Sequence, residues 1–138
     1  METPSTHTLI RLSDTHLTVL DPAQDVRGRT VLDTNGYELG FVDDLVIDDT
    51  DKHVRFLRIA GGGFLGIGGQ KFLIPVDAVS KIDHDHVHID RTRDHVAAGP
   101  AYDPELMDRS HLEQLYGHYD LMPFWGVGYI YPSYPFYF

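Results

Sequence analysis

Cysteine is absent from this 138-residue chain, which excludes disulfides, thiolate metal ligands and thiol nucleophiles. Lysine occurs only three times, and Lys+Arg number 11 against 21 Asp+Glu, for a formal charge of −10. That balance argues against direct nucleic-acid binding, because phosphate is captured by cationic side chains that displace counterions. An anionic membrane surface is disfavoured for the same reason. Nowhere do about 18 apolar residues run together, so no membrane insertion is expected. Residues 1–12 have neither a basic n-region nor a long apolar run, which reads as a cytoplasmic chain without a secretory signal. Of the five serines, none sits in a G-x-S-x-G elbow, and no carboxylates pair in an obviously apolar setting. The chain is expected to be non-enzymatic, without a cofactor.

What is present is a core-forming composition, 42% hydrophobic, in a length suited to one domain. Residues 8–20 carry Leu9, Ile10, Leu12, Leu17, Val19 and Leu20 and read as one or two short strands ended by Asp21-Pro22. From Asp25 the rhythm is β. A short strand over 29–33 meets Asn35-Gly36, the dipeptide of a tight two-residue hairpin, and a longer strand follows over 37–47. Val42 and Leu45 are three apart across Asp43-Asp44, a slip of phase that predicts a β-bulge. Residues 53–60 are apolar at both alternations, as in a strand covered on both faces. Strands at 71–76, 80–83 and 86–91 follow, with a turn at 77–79 and a hairpin around His84-Asp85. The pattern predicts a mainly β fold, a small antiparallel barrel or curled sheet. A short helix is expected over 104–116, capped by Asp103, opened by Pro104 and stopped by Gly117. Residues 119–138 are aromatic, punctuated by proline, free of Lys and Arg, and should be extended.

Each chemical motif competes with a plainer reading. Gly61-x-Gly63-x-x-Gly66 matches a dinucleotide fingerprint, but a strand rather than a helix follows it, so nucleotide binding is rejected. Asp43, Asp44, Asp48, Asp49 and Asp51 lack the spacing and terminal Glu of a calcium loop and fit turn chemistry instead. His84, His86 and His88 share one strand face at a zinc-ligand spacing. Val87 and Ile89 would then face inward, leaving the histidines as a solvent-facing trio or a metal site. Arg27, Arg29, Arg55 and Arg58 are the residues from which a basic face for RNA would be built. Ten of the sixteen aromatics follow residue 115. Such a tail either folds back over its own domain or anchors another subunit, with Phe124, Trp125, Tyr129, Tyr131 and Tyr134 as the anchors.

Taken in order, several segments carry a family resemblance. They are Asp25-Val26-Arg27-Gly28, Asn35-Gly36-x-x-Leu39-Gly40-x-Val42-Asp43-Asp44-Leu45, Val54-Arg55-Phe56-Leu57, Gly62-Gly63-Phe64-Leu65-Gly66-x-Gly68 and Phe72-x-Ile74-Pro75-Val76-Asp77-Ala78-Val79. Together they resemble the PRC-barrel family, named for the cytoplasmic barrel of the photosynthetic reaction-centre H subunit. A related barrel forms part of a ribosome maturation factor. The resemblance spans 25–98 and leaves an N-terminal extension (1–24), a helical segment (99–118) and the aromatic arm (119–138). It implies a small barrel used for binding and assembly, with no catalytic residues to carry over. The expected partner is protein, a second copy of the chain first. Metal binding through the histidines, or a ribosome-associated or reaction-centre-like accessory role, are the alternatives.

Overall fold

The computed structural model describes residues 9–14, 25–50, 53–60, 71–105 and 107–132. The glycine-rich connection at 61–69, Tyr134 and most of 1–24 lie outside that set. Among these residues seven strands form one sheet: β1 Leu9–Arg11, β2 Thr30–Leu32, β3 Glu38–Asp48, β4 Val54–Ala60, β5 Phe72–Pro75, β6 Val79–Ile82 and β7 His86–Ile89. Their hydrogen-bonded order is β5-β4-β3-β2-β7-β6, with β1 also paired to β3. The long β3 is the hub, since its eleven residues pair with β1, β2 and β4.

The expectation of an antiparallel sheet is corrected. It is not purely antiparallel, because β2 and β7 run parallel, Val31 opposite Val87. Among the described residues its hydrogen-bonded path is open between β5 and β6, so pairing there does not close a barrel. These edge strands are joined by a single 3-10 turn, Val76–Ala78, which requires the sheet to curl strongly and bring its two ends together.

The bulge expected at Asp43-Asp44 is present. Val42 pairs with Ile59 and Asp44 with Arg58, leaving Asp43 as the extra residue. A second bulge lies across the same strand pair. Val46 pairs with Phe56 and Ile47 with Val54, so Arg55 is the extra residue in β4. An extra residue bends its strand and re-aims the side chains around it. Here both extra residues are charged.

The Asn35-Gly36 turn differs in detail from the expected two-residue form. The Asp33 amide donates to the Tyr37 carbonyl (2.8 Å) and the Gly36 amide to the Asp33 carbonyl (3.0 Å). Gly36 takes φ +86°, so this is a three-residue loop closed by a left-handed glycine. Asp33 organises it. Its Oδ1 accepts from the amides of Asn35 (2.9 Å) and Tyr37 (2.8 Å), and its Oδ2 accepts from the Arg93 amide (2.8 Å).

That last bond starts α1, Arg93–Ala97, a helix the sequence reading does not foresee; Thr92 caps it by accepting from the His95 amide (3.1 Å). The second helix, α2, spans Arg109–His118 rather than 104–116, with Asp108 at its N-cap. Asp103 and Pro104 instead form a turn in which Asp103 accepts from the Glu105 amide (2.9 Å). Gly117 does not stop the helix; the left-handed position beyond it belongs to Asp120, at φ 57°. The two helices are clasped by their histidines. Nε2 of His95 donates to the His118 carbonyl and Nε2 of His118 to the His95 carbonyl, each at 2.6 Å, with the rings stacked 4.3 Å apart. A Cβ at Gly99 would lie 2.7 Å from the His118 ring, so glycine is needed for this approach.

Because Asp33 is buried and serves three amides on two elements, Asp33→Ala should lower stability by about 1–3 kcal/mol. Urea denaturation followed by circular dichroism reads the change.

Candidate functional site

Arg55 is a buried cation of the sheet. Its bulge position buries the guanidinium, which donates from Nε (3.0 Å) and Nη2 (2.9 Å) to Oδ2 of the equally buried Asp48. Oδ1 of Asp48 accepts from the Thr50 amide (2.9 Å). Water is kept from this pair by the aromatic arm. The Phe124 ring centroid lies 4.3 Å from the guanidinium carbon, Tyr131 at 5.4 Å and Tyr129 at 5.9 Å. Ring faces attract a desolvated cation, so the cage also offsets part of its dehydration.

The described part of the arm therefore packs over its own domain. Phe124 belongs to the buried core, and Trp125, Tyr129 and Tyr131 pack against it half-buried. Trp125 sits edge-on to Tyr116 (5.9 Å) and beneath Arg109 (4.8 Å). Tyr131 stacks on His53 (4.3 Å), and its hydroxyl donates to the Val54 carbonyl (3.2 Å). The fifth anchor, Tyr134, is outside the described residues. What the arm presents to solvent is its turn: Val127 is 98% exposed and Ile130 84%, with Met122 partly so. Sequence reading passes over these aliphatics because the aromatic rings around them dominate the segment.

Asp77, on the turn between β5 and β6, latches this strap. Its Oδ2 accepts from the Tyr129 hydroxyl (2.8 Å), while Oδ1 and the Tyr116 hydroxyl are buried without partners among the described residues. Burial pushes the Asp77 carboxyl above its ordinary pKa, against the lowering effects of Tyr129 and Arg55. Burial, then Asp77, pushes the Tyr129 hydroxyl up, so it remains a donor.

The histidine trio is split. Val87 and Ile89 are buried and His86 and His88 lie on the outer face, as their alternation predicts. His84 points away into solvent and pairs with Asp85 (3.0 Å). Its place is taken by Asp83, whose Oδ1 is 3.2 Å from His86 Nδ1 and whose Oδ2 is 3.0 Å from His88 Nε2. The signal was Asp83 three residues before His86, visible only once the hairpin is closed. His88 foremost, then the amides of Asp85 and His86, hold the Asp83 carboxyl well below the usual carboxylate range.

The four arginines considered for RNA are each engaged within the chain. Arg27 pairs with Asp25, and Arg29 donates to the Asp83 carbonyl (2.9 Å). Arg58 binds Asp43 (2.8 Å), which Lys71 also reaches (2.7 Å), and Arg55 is buried as described. An open groove of about 390 Å³, lined by Leu9, Ile10, Val46, Tyr102, Pro104 and Met107, lies between β1 and the segment before α2; among the described residues Arg11 is the charged one that lines it.

A curled seven-stranded sheet with two short helices and an aromatic strap defines a small, mainly β domain. The PRC-barrel domain family matches the chain over residues 20–96. The chain belongs to that family. No curated protein matches it. No described helix is long and apolar enough to cross a membrane.

Two outcomes test this arrangement. Arg55→Met leaves Asp48 charged and buried without its cation, and should lower unfolding free energy by about 3–5 kcal/mol. Asp77→Asn keeps an oxygen for Tyr129 and removes a poorly solvated charge. A raised folded-state pKa makes the carboxyl's contribution favourable below the unfolded value and lost as pH rises through the folded one. The variant should therefore melt above the parent at pH 7, with the gap closing below about pH 4. Calorimetric melts across that range measure it.

Proposed function

We propose that this chain is a non-enzymatic assembly module of the cytoplasm that binds other protein chains, its own second copy first, through the turn of the strap. The observation that carries this is the contrast within one segment. Phe124, Trp125, Tyr129 and Tyr131 are fixed against the domain, while Val127 and Ile130 between them stand almost fully in water. Aliphatic side chains held on an ordered turn bind at a smaller entropy penalty than the same residues on a loose tail. Membership of a family implied to work by binding and assembly supports the same reading. The aromatic rings then act as the frame of the contact rather than as its surface. No described feature favours RNA, because the candidate arginines are spent on acidic groups and a carbonyl of the chain itself.

Removing the whole arm would uncover the core, since Tyr119 and Phe124 are buried in it. The sharper test is Val127→Ser with Ile130→Ser, which leaves every described ring contact in place. Light scattering over a range of concentrations should give a mass above the monomer for the parent and the monomer mass for the double variant. Circular dichroism should be unchanged. A monomeric parent, or a double variant with the parent's mass, would overturn the proposal.

A further inference from the structure

We propose that Asp83, His86 and His88 form a binding site for a divalent transition-metal ion of the zinc class. Each residue offers one ligand atom, and the three atoms lie within 4.8 Å of one another. Two imidazole nitrogens and one carboxylate oxygen are a borderline donor set that suits zinc and its neighbours, whereas calcium and magnesium prefer oxygen throughout.

The site is built by the hairpin rather than by chance proximity on a loose surface. β7 is hydrogen-bonded on both sides, antiparallel to β6 and parallel to β2, which fixes the backbone under both histidines. Residues two apart on a strand share a face, so His86 and His88 project together while Val87 and Ile89 anchor the strand in the core. Asp83 is oriented independently of any ion. Its Oδ1 accepts from the amides of Asp85 (3.1 Å) and His86 (2.8 Å), and its own amide donates to the His86 carbonyl (2.9 Å). Backbone bonds of this kind set the direction of a ligating carboxylate and sharpen the site. His86 turns Nδ1 and His88 turns Nε2 toward that one carboxylate. All three side chains are half-exposed, which gives an ion a path in and leaves a fourth coordination position for water or an incoming ligand. His84, 96% exposed and paired with Asp85, is outside the site.

That division makes the test specific. The full chain is titrated with zinc chloride by isothermal calorimetry, beside Asp83→Asn, the pair His86→Ala with His88→Ala, and His84→Ala. Asparagine keeps an oxygen for the hairpin amides, and melting curves confirm that each variant is folded. The parent should bind one ion saturably at this site. Asp83→Asn and the double variant should each weaken binding by at least about tenfold, and His84→Ala by less than about twofold. Absence of saturable binding by the parent would overturn the site. So would a double variant that binds as the parent does, or a loss in His84→Ala as large as in the double variant.

Discussion

A guanidinium buried in a β-strand constrains everything packed around it. Arg55 sits on the bulge of β4, and its anionic partner Asp48 is itself buried at the end of β3. Two charges withdrawn from water recover their hydration loss only if geometry is good and remaining polar atoms find partners. The sheet supplies the geometry by a hairpin that sets the last residue of β3 against the start of β4. The arm supplies the exclusion of water, with three rings around the cation. Loss of the arm would expose the pair and the core together. The aromatic segment is thus part of the domain's stability, not an appendage to it.

Strands β3, β4, β5 and β7 were legible from their apolar pattern because each buries one face or both. The bulge at Asp43-Asp44 was legible too, since two adjacent acids inside an apolar alternation leave a visible slip of phase. The Arg55 bulge was not. Val54, Phe56, Leu57 and Ile59 surround it, so the strand reads as apolar on both faces and Arg55 leaves no visible slip of phase. The parallel pairing of β2 with β7 depends on residues more than fifty apart in sequence, and no local pattern encodes it. The helix signals at Asp103-Pro104 were sound chemistry spent on a turn. There the Tyr102 amide is tied to the Lys71 carbonyl (2.6 Å), holding this segment to the start of β5 before α2 begins. For the histidine site, alternation predicted the outward face but not the third member, because Asp83 joins only through the turn.

The preference for Asp over Glu, 17 to 4, has a structural cause. Asp25, Asp33, Asp48, Asp83 and Asp103 each accept a hydrogen bond from the amide two residues ahead. A carboxylate one methylene from the backbone reaches that amide and fixes a turn, whereas the longer Glu chain closes this ring less readily. Part of the acidity is therefore used to shape the turns that join these elements. Several of these acids hold a second partner as well: Arg27 on Asp25, the start of α1 on Asp33, Arg55 on Asp48, and two histidines on Asp83.

This double use places the fold's stability and the proposed binding in the same residues. A carboxylate already fixed by backbone amides loses little further freedom when it takes another ligand, so it is a better ligand than a free surface acid. Asp83 and the strap turn are both of this kind, since each is held in place by bonds within the domain and keeps a face toward solvent. Asp44 shows the opposite limit. It is fully buried, accepting from the Ser13 amide (3.2 Å) and hydroxyl and from the Leu45 amide (2.9 Å), with Arg58 at 3.7 Å, and nothing of it remains for a partner. What separates a structural acid from a binding one in this fold is accessibility after the turn has formed. By that criterion the outer β7 face and the tip of the strap are the two places where binding is proposed.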